Sequence, residues 1–392
     1  MVTSQNKMDS QLRSVKIQFL IKIIRFIVGV LFIFSGLIKA NDPLGLSYKM
    51  QEFFEVWHIH FLDNYTLPFS ICMIVFEIAA GVAVLLAWQM KLFSWLLLAL
   101  ILFFTFLTGY AFLSGKIKDC GCFGNCIPLT AGQSFAKDII LLVLILILFI
   151  NRRFLKAWIP NPYNLIIIFF AVVFSFSLQW YVLQFLPVVD CLPYNLGSSI
   201  PEKMKAPTGS LPDSSVISFQ YAKNGKTIEF TADHFPSDFD ESYHFIRRYD
   251  KLIRKGNAEP PIKDFVLQTA SGNDTTLSLM SQGGNALFLF AKDLPQSNPA
   301  WNKEFAAIFS FVKMKNMTVY IVTASPDDIA RYLASNNITE HVQVLTCDVT
   351  AIKTASRANP TLMLIKKGAI MGKWGYGDFE NAIPIISALP EQ

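Results

Sequence analysis

Long unbroken apolar runs, rather than the alternations of amphipathic elements, dominate the first half of the chain. Five of them, at 19–39, 67–88, 92–114, 135–150 and 163–186, approach the roughly 20 residues a helix needs to cross a bilayer core. The fourth is the shortest, and its flanks carry Lys137 and Asp138 on one side and Asn151, Arg152 and Arg153 on the other. Snorkelling or local thinning of the bilayer lets such a run span. With the N-terminus in the cytoplasm, the inner segments hold Lys7, Arg13, Lys16, Lys22, Arg25, Lys91, Arg152, Arg153 and Lys156. The opposite side holds Lys39, Lys49, Lys116, Lys118 and Lys137, so the positive-inside bias favours that orientation. Five spans then carry everything after residue 186 outside. The first run has no small-residue cleavage site after it and reads as an uncleaved anchor.

Past Pro187 the pattern changes. A Pro, Gly and Ser-rich stretch to Ser215 reads as a tether. Runs at 216–222 and 226–231 flank Asn224-Gly225, a hairpin signal, and 237–255 reads as a mixed helical segment. From Ile262 the predicted order is a short strand at 264–267, a turn and strand near Thr275, a buried strand at 286–290, a helix at 301–313, a strand at 317–323 and a helix at 326–335. A strand pair at 362–366 and 369–374 closes the series, the order of a covered α/β sheet. The expected organisation is a cytoplasmic N-terminus (1–18), a membrane α-helical bundle of about five transmembrane helices (19–189), an extracytosolic linker with a hairpin-helix module (190–258) and an extracytosolic α/β domain (259–392).

Composition sharpens this division. Of 392 residues 53% are hydrophobic and 16% charged, so membrane lipid is the expected surrounding of the first half, and the cell inner membrane the expected location. The net charge of +5 comes from cations beside apolar runs, without a basic stripe interleaved with aromatics. Nucleic acid is therefore not an expected partner.

Ionisable groups at membrane depth are costly and mark functional candidates. Glu77 lies in the middle of the second run, and Arg25 on the first run is its expected partner, either as a structural ion pair or as a direct participant. Gly29, Gly36 and Gly81 suit close helix packing. Of the six cysteines, Cys120, Cys122 and Cys126 share the loop between the third and fourth runs, and Cys191 follows the fifth. Four such thiols permit three complete pairings. Redox-active thiols, structural disulfides and a Cys-held metal are all compatible with the spacing. Lys116, Lys118, Lys137 and a helix start near Ser134 would favour thiolate. Cys72 and Cys347 read as buried small hydrophobes.

The run 25–39, containing Arg25, Gly29, Ser35, Gly36 and Lys39, followed by Asp42, Pro43 and Gly45, resembles the first helix of the DoxX and MauE-like membrane proteins. Glu77 with Gly81, and Cys120-Gly121-Cys122-Phe123-Gly124 followed by Ser134 and Asp138, resemble the MauE branch. The resemblance covers roughly 22–150. It implies a four-helix bundle related to disulfide-forming membrane proteins such as the vitamin K epoxide reductase-like group, with quinone-linked or thiol-relay electron transfer. The fifth span and the added domain depart from that short form. Roughly 261–389 resembles the thioredoxin-like fold of the peroxiredoxin and TlpA-type branch, in which Pro360 would be the cis-proline facing the active site. After Phe290, where that family carries its reactive cysteine, the sequence from Ala291 to Asn298 has no sulfur.

The leading expectation is a membrane thiol-disulfide or electron-transfer protein. In it Cys120 and Cys122 form the reactive pair, Cys126 and Cys191 a second or resolving pair, and a quinone binds near Arg25 and Glu77. An extracytosolic protein thiol would be the client. The competing expectation is a non-enzymatic assembly or partner-binding protein with structural disulfides and a degenerate thioredoxin-like docking domain. A small-molecule transporter with one central carboxylate is a third.

Overall fold

The computed structural model describes residues 2–117, 121, 123–212, 214–254, 256, 258–292, 301–335 and 340–391, with backbone alone for 2–14, 251–252 and 301–302. Among them, five helical segments are long and apolar enough to cross a membrane: Val15–Asn41, His60–Leu85, Met90–Ser114, Ala131–Ile150 and Asn161–Phe185. The first is the apolar part of α1 (Val2–Asn41). A short α2 (Pro43–Val56) and a 3₁₀ turn lead to α3 (Thr66–Leu85), followed by α4 (Met90–Ser114), α5 (Ala131–Ile150) and α6 (Asn161–Phe185).

Pairing within the bundle follows from small residues. A Cβ on Gly29 would sit 2.6 Å from the Leu85 side chain, and one on Gly81 would sit 2.9 Å from the Gly29 carbonyl oxygen. The backbones of α1 and α3 therefore touch, as packing requires where lipid supplies no hydrophobic drive between helices. Helix α4 lies along α5, and α6 packs on α3 while leaving most of its surface to lipid. Val28, Phe32, Ala80, Val84, Leu97 and Ile145 fill the middle.

Beyond α6 the chain differs from the tether read in the sequence. Leu192, Tyr194 and Ile200 are buried, and Ile200 on the one-turn α7 (Ile200–Lys203) donates its N–H to the Gly368 carbonyl at 2.8 Å. Apolar side chains spaced among the turn residues turn this stretch into part of a folded domain. The hairpin forms as expected from β1 (Ser214–Lys223) and β2 (Lys226–Thr231), but 244–254 is a third strand, β3 (His244–Arg254), not a helix. It pairs antiparallel with β1, giving the order β2-β1-β3. A lone hairpin is marginal in water, and the added edge satisfies the second side of β1. Rings from Phe219, Tyr221, Phe230, Phe235, Phe239 and Tyr243 pack together over one face.

The C-terminal sheet has the order β6-β5-β4-β7-β8. Strands β4 (Asn285–Phe290), β5 (Val319–Thr323) and β6 (Val342–Thr346) run parallel, while β7 (Thr361–Lys366) and β8 (Ala369–Gly375) are antiparallel additions. Every residue of β4 is buried, which explains its continuous apolar sequence, since both faces are covered. Leu287 and Leu289 face α9 (Trp301–Met314), α10 (Pro326–Ser335) and α12 (Phe379–Ser387). Phe288 and Phe290 face α7, α8 (Thr276–Met280) and α11 (Val349–Ala355). The short strands expected at 264–267 and near Thr275 do not form: Gln268 makes only isolated bridges to Asp274 and Thr346, and Thr276 already opens α8, its N–H held by the Asp274 carboxylate at 2.9 Å. Strand β6 and helices α11 and α12 were not anticipated. The Asp348 carboxylate accepting from Thr350 and Ala351 is a readable N-cap for α11.

This domain sits against the bundle at the end that carries the cysteine loop. A Cβ on Gly375 would run into the Gln184 carbonyl oxygen at the end of α6. Arg357 pairs with Asp42 at 3.0 Å, Lys373 with Asp190 at 2.7 Å, and Lys353 donates to Gln51 at 2.9 Å.

Candidate functional site

The loop after α4 is shaped by its glycines and by the start of α5. Gly121 and Gly124 adopt φ of +62° and +56°, a region L-residues avoid. The Gly124 N–H donates back to the Gly121 carbonyl at 3.0 Å, making a tight turn. Thr130 and Gln133 form a reciprocal capping box that opens α5 at Ala131, earlier than the sequence suggested. Cys126 then bonds to Cys191, 65 residues further along, with Cα atoms 4.9 Å apart. Both half-cystines are half-buried and line a narrow crevice with Asn41, Asp42 and Asn125. Cys120 and Cys122 lie outside the described residues.

Beneath the loop is a pair of buried ion pairs. Glu77 and Lys39 are each 3% exposed, and the ammonium lies 2.7 Å from one carboxylate oxygen and 3.0 Å from the other. The expected Arg25–Glu77 pairing is therefore corrected. Gly29 stands opposite Leu85 and Gly36 opposite Ile78 in the antiparallel α1–α3 pair, so Glu77 comes level with the last turn of α1. Arg25 lies roughly 18 Å further along that helix at about 1.5 Å per residue. It is buried and stacks over Trp158, in the connection between α5 and α6 at the opposite end of the bundle. Arg25 and Glu77 therefore lie at opposite ends of the bundle and do not pair.

The second pair is Lys137 with Asp138, at 3.0 Å. Asp138 is 1% exposed and also accepts from the Thr108 hydroxyl at 3.0 Å. Lys137 additionally stacks over Phe123 of the loop. A cavity of about 40 Å³ touches Ser35, Lys39, Glu77, Phe123, Lys137 and Asp138, enough room for a bridging water.

Next to it, between α2, α3 and α4, lies a larger apolar cavity of about 290 Å³. Phe53, Phe54, Trp57, Phe103 and Phe104 wall it, Lys39 and Thr108 give polar points, and Gly121 of the loop touches it. Cys72 lines it and is exposed, contrary to the buried role expected of it. Cys347 is buried as expected, and burial pushes its thiol up to about 11, so it stays protonated and unreactive at neutral pH.

Five apolar helical spans, with a glycine-turned cysteine loop and ion pairs gathered at one end, describe a multi-pass membrane protein. Residues 17–151 match the family described as Methylamine utilisation protein MauE, and residues 215–255 match one described as Domain of unknown function (DUF8463). Among curated proteins, Protein TlpB of Flavobacterium psychrophilum is 30% identical over 141 residues, 35% of this chain. The match spans 38% of that relative's length. No solved structure matches the chain.

Several site residues were missed in the sequence. Lys39 was read as the end of a span, and Thr108 as one more residue in an apolar run. Asp42 drew notice only as part of the family pattern. The loss is one of register, because nothing local marks Lys39 rather than Arg25 as the neighbour of Glu77.

Proposed function

We propose that this chain is an inner-membrane thiol-disulfide or electron-transfer protein that exchanges disulfides with extracytosolic protein thiols at the loop holding Cys120, Cys122, Cys126 and Cys191. The carrying observation is the half-buried Cys126–Cys191 disulfide, set in a crevice at the loop end of the bundle. The MauE-like region 17–151 supplies this loop. In exchange, a client thiolate attacks a loop disulfide, a mixed disulfide forms, and a second client thiol releases it. The client leaves oxidised and the loop holds two thiols, having gained two electrons and two protons. Positive-inside charge supports a cytoplasmic N-terminus and a periplasmic C-terminal domain.

The loop must pass those electrons on. A quinone, which takes up two electrons and two protons, is the acceptor class that the ring-walled cavity fits. Gly121, between Cys120 and Cys122 in the chain, lines that cavity, and Lys39 gives a donor at its edge. Arg25 is not among its lining residues, so the acceptor belongs nearer the loop than an Arg25–Glu77 site would put it.

The C-terminal sheet supports a thioredoxin-like reading. It has three parallel strands and an antiparallel pair, helices on both faces, and a cis Asn359–Pro360 bond at the start of β7. With no cysteine between Phe290 and Trp301, and Cys347 protonated, this domain serves docking rather than exchange. That same observation favours the second reading, a partner-binding or assembly protein in which the disulfide only braces the loop.

Thiol trapping in intact membranes separates the two. Exchange predicts that Cys120 and Cys122 cycle between trapped and untrapped forms as the redox poise changes, and that serine at either position abolishes client oxidation. If both stay oxidised at every poise and their replacement alters only abundance, the assembly reading stands instead.

A further inference from the structure

Each half of the Cys126–Cys191 disulfide has a chain neighbour wired into the C-terminal domain. Beside Cys126, Asn125 donates to Asp42 Oδ2 at 3.4 Å. The same oxygen accepts from Arg357 Nε at 3.0 Å, while Asp42 Oδ1 caps α2 through the Gly45 N–H at 2.9 Å. Asp42 is thus a junction of three parts: the bundle, the loop and the C-terminal domain. Its side chain is 11% exposed and that of Arg357 6%. Beside Cys191, Asp190 accepts from Lys373 of β8 at 2.7 Å, and Lys373 also donates to the Tyr194 carbonyl at 3.0 Å. Asn41, adjacent to Asp42, clamps the segment before Cys191 by donating to the Val189 carbonyl and accepting from its N–H, at 2.8 and 3.0 Å.

We infer that Asp42–Arg357 and Asp190–Lys373 form a latch that makes docking of the C-terminal domain and the oxidation state of Cys126–Cys191 depend on each other. With the disulfide formed, Asn125 and Asp190 are held at fixed distance, and both cations of the domain find their carboxylates together. Reduction by a dithiol gives the pair two electrons and two protons, breaks the S–S bond and closes a disulfide in the reductant. The loop then loses its covalent tie to the 187–192 segment, and the two ion pairs keep only the Asn41–Val189 clamp as a common frame. Coupling free energies are reciprocal. Whatever factor docking adds to the stability of the disulfide, the disulfide adds to docking. The inference does not depend on whether this disulfide turns over or only braces, so it survives failure of the exchange reading.

The test uses the full chain in detergent micelles with Cys120 and Cys122 replaced by serine. Cys126 and Cys191 are titrated in dithiothreitol redox buffers and scored by alkylation and mass. Arg357→Met and Lys373→Met should each make the disulfide easier to reduce by roughly tenfold, about 30 mV for a two-electron couple. In the reciprocal arm, Cys126→Ser/Cys191→Ser should raise hydrogen exchange at α11 and β8 while α9 and β4 keep their protection, which reports undocking rather than unfolding. Lys223→Met, at a distant ion pair with Asp238, should change neither readout. The latch is overturned if the arginine and lysine variants titrate within twofold of the parent, if the serine variant leaves α11 and β8 protected, or if Lys223→Met shifts the titration equally.

Discussion

The bundle and the C-terminal domain solve the burial problem in opposite ways. In the bundle, lipid is as apolar as the side chains, so helices are joined by glycine-to-backbone contact and by buried polar pairs, Lys39 with Glu77 between α1 and α3 and Thr108 with Asp138 between α4 and α5. In the domain, water outside drives a continuous apolar sheet together, and β4 buries all six of its residues. Sulfur follows the same division. The bundle end presents Cys126 and Cys191 half-buried in a crevice beside Asn41, Asp42 and Asn125, whereas the domain holds Cys347 among apolar side chains. The first pair is partly open to its surroundings, and Cys347 is closed off by the core.

Three changes test that contrast, beginning with the largest. Glu77→Gln leaves the buried Lys39 ammonium without its counter-ion and should destabilise the bundle by about 3–5 kcal/mol, seen as a lowered thermal midpoint in detergent. Lys39→Met/Glu77→Met should recover most of that loss. Equal loss in the single and double variants would mean that the pair is not what fixes this part of α1 to α3.

Gly81→Leu comes next. Its Cβ would lie 2.8 Å from Ile33 and 2.9 Å from the Gly29 oxygen, and overpacking of this kind costs about 1–3 kcal/mol. Gly283→Ala, with nothing within 4 Å of the added carbon, serves as the comparison and should leave stability unchanged.

The last change concerns pH and vanishes near neutrality. The Cys347 thiol ionises at about 11 in the folded chain, raised by burial from an ordinary 9.0. The unfolded chain therefore releases this proton first. Its contribution to stability is complete below pH 9 and is lost as pH rises toward 11, at up to about 1.4 kcal/mol per unit. In denaturant titrations, the pH slope of stability should differ between the parent and Cys347→Ala only in that window, on top of a pH-independent packing loss in the variant. A parent that shows no steeper alkaline loss than Cys347→Ala would place the thiol in contact with water.

Legibility in the sequence was greatest where a signal is local. Unbroken apolar length marked five spans, Asn224-Gly225 marked the β1–β2 hairpin, and the apolar run at 286–290 marked β4. It failed for β3, because His244 to Arg254 mixes apolar and charged residues without a clean period, and its pairing with β1 is what makes it a strand. The stretch after Cys191 misled for a related reason. Its prolines and glycines are turn-formers, yet Tyr194 and Ile200 between them are core residues.

Residue order alone determined that this protein places a long apolar half in lipid, a cysteine loop between the third and fourth spans, and a sulfur-poor α/β domain after them. These are properties of segments, set by transfer free energy and backbone preference one stretch at a time. Tertiary structure alone decided that Glu77 meets Lys39 and not Arg25, that Cys126 rather than another loop cysteine bonds to Cys191, and that Asp42 joins three parts of the molecule. Such choices depend on the register in which helices slide past each other and on where a distant domain comes to rest. The close approach of Gly29 and Gly81 fixes the first, and the seat of Gly375 on the end of α6 contributes to the second.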